Sequence, residues 1–185
     1  MLNDIDRTLF HEQTILQRLD ELGAQITHDY DGKELTVIAV LNGSILFVAD
    51  LVRRIQLPLR LDCIGVSSYH GGTQSSGTVI FAEASLPAVE GRHVLILDDI
   101  LDTGRTLHAI RRRVTDEVNA ASVGICVLLR KAKARAEELE ANYVGFEIGD
   151  EFVVGYGLDY MEQYRNLPFI GVLKPEALAS GSVCA

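Results

Sequence analysis

The sequence predicts an α/β domain built on a mostly parallel central sheet with helices on its faces. Apolar runs of strand length alternate with helix-like segments, and this alternation is typical of parallel strands joined by helical crossovers. Some runs, such as residues 94–97, are apolar at every position instead of at alternate positions. Such runs indicate strands that are buried on both faces. Ligands of these sheets bind at the carboxyl ends of the strands.

The first half of the chain supplies two helices, two strands and a long polar loop. Residues 11–30 carry apolar side chains at helical spacing, which predicts an amphipathic helix packed on the sheet. Residues 35–41 predict a buried strand, followed by a turn and a helix over residues 45–55. Residues 59–66 predict another strand before the glycine-rich tract of residues 67–77, which is typical of either a mobile lid or a plain hairpin loop.

The second half of the chain continues the alternation. Further strands are predicted over four segments, namely residues 122–129, 143–148, 151–154 and 169–173. From Pro175 onward the pattern is lost. We therefore predict one domain over residues 1–176 and a flexible tail over residues 177–185.

Residues 94–107 organise the predicted site. The buried run ends at Asp98 and Asp99, and we place both carboxylates at the exit of the strand, because a buried strand does not accommodate them without partners. The turn that follows, before a helix, consists of Asp102, Thr103, Gly104, Arg105 and Thr106. A glycine turn at a helix N-terminus favours a bound phosphate, whereas the paired acids suit a diol or Mg²⁺. A sugar phosphate fits both halves, although paired acids at a strand end also occur in magnesium-binding receiver domains.

Composition and charge narrow the function classes. The chain has 185 residues, of which 48% are hydrophobic, and this is enough for one domain with a proper core. The formal net charge of −9 argues against nucleic acid as the main partner. The apolar runs are far shorter than the roughly 20 residues of a membrane span, and the N-terminus lacks a signal-peptide pattern. We therefore expect a cytoplasmic protein without a membrane partner.

The three cysteines predict thiols rather than a disulfide framework or a zinc site. Cys63, Cys126 and Cys184 are odd in number and widely spaced, and two of them lie in apolar runs. This usage suits reduced, buried side chains in a reducing compartment.

The stretch that organises the site resembles a known family signature. An apolar run, two acids, two aliphatic residues and Asp-Thr-Gly-Arg-Thr together resemble the phosphoribosyl pyrophosphate (PRPP) signature of the type I phosphoribosyltransferases. Residues 144–148 and 151–160 resemble the hypoxanthine-guanine branch of that family, and the resemblance extends over residues 35–172. It implies a fold with a small hood and a flexible lid loop. It also implies an assembly into a homodimer or a homotetramer.

The activity implied by the resemblance is purine salvage. A 5-phosphoribosyl group would pass from PRPP to N9 of hypoxanthine or guanine in the presence of Mg²⁺, giving IMP or GMP and pyrophosphate. Asp102 would manage the proton at N7 of the purine, although an aspartate in this position is also typical of a helix N-cap. By the same resemblance, the 5′-phosphate would bind to the turn from Asp102 to Thr106, through Thr103, Gly104, Arg105 and Thr106.

The remaining roles also come from the resemblance. The ribose hydroxyls and Mg²⁺ would bind to Asp98 and Asp99, although the family usually has glutamate at the first of these positions. The pyrophosphate would bind to Leu41, Asn42, Gly43, Ser44, Ser68, Tyr69 and Arg165. Asn42 stands where the family commonly has a basic residue, and the family often has a cis peptide in this loop.

The resemblance assigns four residues to the purine. They are Lys131, Phe152, Val153 and Asp159, and Asp159 would also lie near a second Mg²⁺. An ammonium group donates hydrogen bonds and never accepts them, so Lys131 would favour a 6-oxopurine over adenine. Without the resemblance, a solvated lysine and a core phenylalanine are the ordinary interpretations of Lys131 and Phe152.

Two alternative functions stay open. A transferase for another base would need a different partner for the 6-position if the base were adenine, but xanthine also has a 6-oxo group. A regulatory protein that senses PRPP or a nucleotide on the same fold would be expected to have a basic surface, which the net charge of −9 opposes.

Overall fold

Nine strands and four helices make up the described part of the protein, a computed structural model that describes residues 1–68, 79–81, 87–132 and 139–179. The strands are β1 Ile5–Phe10, β2 Leu35–Leu41, β3 Leu59–Ser68, β4 Val79–Phe81, β5 His93–Leu101, β6 Ser122–Lys131, β7 Tyr143–Ile148, β8 Val153–Val154 and β9 Ile170–Leu173. The helices are α1 Glu12–Asp29, α2 Ile45–Val52, α3 Arg105–Val118 and α4 Pro175–Ala179. A short 3₁₀ turn, Leu2–Asp4, precedes β1.

The central sheet has six strands in the order β4-β3-β2-β5-β6-β7. The five strands from β3 to β7 in this order pair in parallel, and β4 pairs antiparallel with β3. The predicted mostly parallel sheet is therefore confirmed. The predicted helices at residues 11–30 and 45–55 are also present, as α1 and the somewhat shorter α2.

Both faces of the sheet are covered by helices, as the continuous apolar runs predict. Successive residues of β5 point to opposite faces, so Leu95 joins the core under α1 and α2, whereas Ile96 joins the core under α3. All four residues of the run 94–97 are fully buried. This burial fixes the register of β5 and with it the position of the carboxylates that follow.

A second, antiparallel sheet has the order β1-β9-β8 and forms the small hood. Strand β1 was not predicted from the sequence. Its side chains are only half-buried or exposed, so the sequence lacks a clear alternation of apolar and polar residues there. The strand is defined by pairing with distant residues such as Gly171, which lies opposite Thr8.

The predicted end of the organising strand is wrong. Strand β5 runs through Asp98 and Asp99 to Leu101, because β6 continues beside it and pairs Ile100 with Leu129. The pairing of β5 with β2 ends at Leu97, so Asp98 comes directly after that ladder. The backbone N–H of Asp99 donates to Oδ1 of Asp98 at 3.0 Å, which gives the buried carboxylate a partner.

Smaller corrections concern the ends of elements and one cysteine. The strand predicted over residues 151–154 is limited to β8. The chain after Pro175 forms α4, with Leu178 packed on the hood, instead of losing order at once. Cys126 is buried as predicted, but Cys63 is exposed, and the described part of β4 pairs with β3 only at residues 66–68 and does not reach it. Cys184 and most of the predicted lid, residues 67–77, lie outside the described residues. Within the described ranges, no helix is long and apolar enough to cross a membrane.

Candidate active site

The candidate residues gather at the carboxyl ends of the parallel strands. Strand β2 leads into the loop at residues 42–44, and β5 carries the two carboxylates and leads into the turn at 102–104. Strand β6 ends at Lys131, and β7 is followed by the loop at 149–152. This is the edge of the sheet at which ligands of α/β folds bind.

The turn after β5, which the sequence predicts to bind a phosphate, leads directly into α3. Gly104 has φ 80°, a left-handed conformation that favours glycine, and it is the N-cap of α3. The first helical turn after it presents backbone N–H groups and the positive end of the helix dipole. Asp102 lies two residues before this N-cap, so the alternative that Asp102 caps the helix is wrong.

Asp98 and Asp99 form a pair of neighbouring carboxyl groups in a site of low exposure. Asp98 is buried and Asp99 half-buried. Burial raises the pKa of Asp98 well above its usual range, and the nearby charge of Asp99 raises it further. Burial also raises the pKa of Asp99, against the opposing effects of its hydrogen bond with Asp98 and of the Arg165 guanidinium. The pair is therefore arranged so that a cation would favour its ionised form.

The loop after β2 packs directly on this pair. A Cβ atom at Gly43 would lie 1.8 Å from Oδ2 of Asp99, so glycine is required for the close approach of backbone and carboxylate. Gly157 has φ +101°, and a Cβ atom there would lie 2.1 Å from the carbonyl oxygen of Gly43. The two glycines therefore allow two close contacts in a row. The loop of residues 155–157 packs on the loop after β2, and the loop after β2 packs on Asp99.

The loop after β2 also shows the features that the resemblance implies. The peptide bond between Leu41 and Asn42 is cis, and the Asn42 side chain is exposed. Ser44 is fully buried, and its hydroxyl donates to the carbonyl oxygen of Val40. The hydrogen-bond donor of the Ser44 hydroxyl is thus used within the loop by a main-chain carbonyl.

Lys131 stands between two carboxylates at the end of β6. Its Nζ atom lies 3.4 Å from Oδ2 of Asp102 and 3.2 Å from Oδ1 of Asp150. The side chain is only 10% exposed, so the ordinary interpretation of a solvated lysine is wrong. Lys131, which is predicted to contact the purine, is thereby paired with Asp102, which is predicted to accept or donate the N7 proton of the purine.

Phe152 lies on the loop between β7 and β8 and is 41% exposed, so it is not a core aromatic residue. The edge-to-face contact with Tyr160, at 5.4 Å between ring centroids, fixes its ring without covering it. Val153 is buried in β8 opposite Val172. An exposed, fixed aromatic ring can stack on a planar base.

Arg165 and Asp159 form an ion pair beyond β8. The Nη2 atom of Arg165 lies 2.9 Å from Oδ1 of Asp159, and its Nη1 atom donates to the carbonyl oxygen of Gly157 at 2.8 Å. The backbone N–H of Glu162 donates to Oδ2 of Asp159 at 2.9 Å. Arg165 is thus tied to the loop that packs on Gly43, and its charge acts on Asp99.

Two neighbouring carboxylates, Asp98 and Asp99, are the candidate metal ligands. Among the residues that the structure describes, no group of three or more His, Cys, Asp and Glu side chains is placed to hold a metal ion. Mg²⁺ is commonly bound through one or two carboxylates together with substrate phosphates and water. Asp98 and Asp99, with pKa values raised by burial, fit that mode of binding.

Two predicted pyrophosphate contacts are not described. Tyr69 lies outside the described residues, as does the side chain of Ser68, the last residue of β3. Two residues at the site were missed by the sequence analysis, namely Asp150 beside Lys131 and Tyr160 beside Phe152. Asp150 could have been found, because it follows β7, whose parallel neighbour β6 ends at Lys131.

Comparison with known proteins assigns the family. Residues 7–161 match the family described as phosphoribosyl transferase domain. The chain belongs to the phosphoribosyltransferase family. It is 48% identical over 178 residues to a hypoxanthine-guanine phosphoribosyltransferase of Streptococcus pneumoniae, covering 96% of this chain and 98% of the relative. It is also 48% identical over 181 residues to the enzyme of that name from Staphylococcus aureus, covering 97% and 100%.

The solved structures agree with this family assignment. The crystal structure of a hypoxanthine phosphoribosyltransferase from Staphylococcus aureus superposes with a TM-score of 0.90 at 48% identity, over 96% of each chain. The predicted type I phosphoribosyltransferase fold is therefore confirmed. The stretch that matches the family contains every candidate residue of this phosphoribosyltransferase except Arg165, which follows four residues after its end.

Proposed function

We propose that this phosphoribosyltransferase transfers the 5-phosphoribosyl group of PRPP to N9 of hypoxanthine or guanine, giving IMP or GMP and pyrophosphate. The observation that carries the proposal is the buried Lys131, whose ammonium lies 3.4 Å from Asp102 in the turn after β5. Relatives named for hypoxanthine and guanine, 48% identical over nearly the whole chain, support it.

The purine is selected at its 6-position. The Lys131 ammonium donates hydrogen bonds only, so it favours the carbonyl oxygen of a 6-oxopurine and leaves the exocyclic amine of adenine without an acceptor. Phe152 stacks on the ring system through its exposed surface. Val153 contributes backbone hydrogen bonds, and Asp159 lies toward the 2-position of guanine.

Asp102 acts as the acid or base for the purine. A carboxylate that takes the N7 proton makes the base electron-rich, and the attack of N9 on C1 of the ribose becomes easier. Asp102 is suited to this task because it is half-exposed next to Lys131, which binds the same purine. The aspartate and the lysine therefore address adjacent atoms of one ring system.

The sugar phosphate and the leaving group occupy the other half of the site. Thr103, Gly104, Arg105 and Thr106 bind the 5′-phosphate at the start of α3. The loop from Leu41 to Ser44, the segment of Ser68 and Tyr69, and Arg165 bind pyrophosphate. Asp98 and Asp99 would hold the ribose hydroxyls and one Mg²⁺, and Asp159, which is paired with Arg165, would contact a second Mg²⁺. When bound, Mg²⁺ neutralises charge on the departing pyrophosphate.

Incubation with PRPP and MgCl₂ tests the proposal. Hypoxanthine, guanine, xanthine and adenine are supplied in separate reactions, and nucleotide formation is followed by absorbance and by chromatography of the products. We expect IMP and GMP at comparable rates and little AMP. Efficient use of adenine, or no nucleotide from any base, would contradict the proposal. A clear preference for xanthine would change the assigned substrate but not the role of Lys131.

A further inference from the structure

We propose that Asp150 is a positioning residue that holds Lys131 for recognition of the 6-oxygen of the purine. The inference rests on the proposed function, since it names a second residue that determines which base is used. It is carried by the placement of the Lys131 ammonium between Asp150, at 3.2 Å, and Asp102, at 3.4 Å.

The sheet brings Asp150 to Lys131. Strands β6 and β7 end level with each other, with Lys131 opposite Ile148, and the N–H of Ala132 donates to the carbonyl oxygen of Ile148 at 2.9 Å. Asp150 follows two residues after the end of β7. Asp102 reaches the same ammonium from beyond the end of β5, on the other side of β6. The lysine thus lies between carboxylates delivered by its two neighbouring strands.

The loop that carries Asp150 is tied to the hood. Glu151, the next residue, accepts a hydrogen bond from Nη2 of Arg7 at 2.6 Å, and Arg7 belongs to β1. The N–H of Leu173 donates to the carbonyl oxygen of Phe152 at 3.0 Å. Because both following residues are anchored, the carboxylate of Asp150 has a defined place from which to act on Lys131.

The two carboxylates differ in what they do once a purine is bound. Asp102 is assigned to N7 of the base, so its carboxylate interacts with both Lys131 and the bound purine. Asp150 has no such assignment and keeps a carboxylate on the buried ammonium throughout. An ammonium group has three donors, so contacts with two carboxylates leave one donor for the 6-oxygen. A long, flexible lysine side chain that is not held loses more conformational entropy when it binds the base.

An ordinary surface ion pair is the alternative to this role. The side chain of Asp150 is 62% exposed, and exposed pairs contribute little to stability. The two interpretations differ in their kinetic consequences, because only a positioning role changes the use of the base through Lys131. Stability measurements alone do not separate them.

Steady-state kinetics of Asp150→Asn test the proposal. We expect the KM for hypoxanthine to rise about threefold to tenfold, as for the loss of one charge-assisted hydrogen bond, with a smaller change in kcat. The KM for PRPP should not change, and the kcat/KM for adenine should not fall. Asp150→Glu keeps the charge on a longer side chain and should restore part of the lost affinity.

A double-mutant cycle with Lys131→Gln separates a direct role from one exerted through the lysine. If Asp150 acts through Lys131, Asp150→Asn should have no further effect on the KM for hypoxanthine in the Lys131→Gln background. The matched control is Glu147→Gln, which removes an exposed carboxylate that pairs with Arg130, next to Lys131. We expect its kinetics to equal those of the wild type.

Each outcome decides the proposal. Wild-type KM values in Asp150→Asn, or an equal loss in the Lys131→Gln background, would overturn it while leaving the proposed function intact. An equal effect of Glu147→Gln would also overturn it, since a general loss of negative charge would then explain the result. A wild-type protein that makes no nucleotide from hypoxanthine or guanine would overturn both the function and the role of Asp150.

Discussion

Oδ2 of Asp102 lies 3.4 Å from Nζ of Lys131, so the carboxylate proposed to take the N7 proton lies beside the ammonium proposed to bind the 6-oxygen. N7 and the 6-oxygen lie on one edge of a 6-oxopurine. A single ion pair, formed between the turn after β5 and the end of β6, thus matches that edge in charge and hydrogen bonding.

Replacement of Asp102 by asparagine should separate chemistry from binding. We expect Asp102→Asn to lower kcat by about 10²-fold or more, as for the loss of a general acid or base, while the affinity for PRPP stays close to that of the wild type. Single-turnover kinetics and PRPP titration measure the two quantities. The control is Asp116→Asn, the same change at an exposed carboxylate of α3 that pairs with Arg112. An unchanged kcat in Asp102→Asn would remove this residue from its assigned role.

Replacement of Lys131 by glutamine should relax the choice of base. A carboxamide can accept as well as donate hydrogen bonds, so it no longer penalises the amine of adenine. We expect the ratio of kcat/KM for hypoxanthine over adenine to fall about tenfold or more in Lys131→Gln. Competition between the two bases in one reaction measures this ratio directly. A ratio equal to that of the wild type would show that another group reads the 6-position.

Replacement of Gly43 by alanine should disturb Asp99. The added Cβ atom would lie 1.8 Å from Oδ2 of Asp99, so either the loop or the carboxylate has to move. We expect Gly43→Ala to raise the KM for PRPP about tenfold or more, because a small displacement of a site group has a large kinetic effect, and to increase the Mg²⁺ concentration needed for half-maximal activity. Gly32→Ala is the control, since its Cβ atom would meet nothing within 4 Å although its φ is +70°. Similar kinetics in the two variants would contradict the contact between Gly43 and Asp99.

The raised pKa of Asp98 predicts how stability depends on pH. The pKa of Asp98 is higher in the folded protein than in the unfolded chain, so its contribution is fully present below about pH 4 and is lost as the pH rises through the folded-state pKa. Asp98→Asn stays neutral. In metal-free buffer its free energy of unfolding should therefore increase relative to the wild type as the pH rises, by about 1.4 kcal/mol for each unit of the raised pKa.

Urea unfolding at pH 5 and pH 8 in the presence of EDTA measures this difference. Asp98 faces the Asp99 carboxyl, and the charge of Arg165 acts on Asp99. The difference in unfolding free energy between Asp98→Asn and the wild type therefore reflects the interactions among all three side chains. A difference between variant and wild type that does not grow with pH would contradict the assignment. Added Mg²⁺ should stabilise the wild type more than Asp98→Asn, because the ion binds the ionised pair.

The parts of the fold that were predicted from the sequence are those with a strong local signal. The run 94–97 is apolar at every position and is fully buried, and the helical spacing of Ile15, Leu19 and Leu22 defines α1. The glycine turn before α3 was predicted for the same reason, because Gly104 and the residues around it have a recognisable local pattern.

The parts that were missed depend on distant neighbours. Strand β5 continues through its two aspartates because β6 runs beside it, and nothing within residues 98–101 predicts that pairing. Strand β1 exists through its partner β9, which lies about 160 residues away along the chain. Asp150 acquires its place beside Lys131 only when β6 and β7 pair in register.

A crystal structure with bound IMP would show where the sugar phosphate and the purine bind. We expect the 5′-phosphate to lie on residues 103–106, with the purine between Lys131 and the exposed ring of Phe152. A phosphate bound anywhere else, with the turn after β5 unused, would contradict the proposed phosphate site and with it the proposed function.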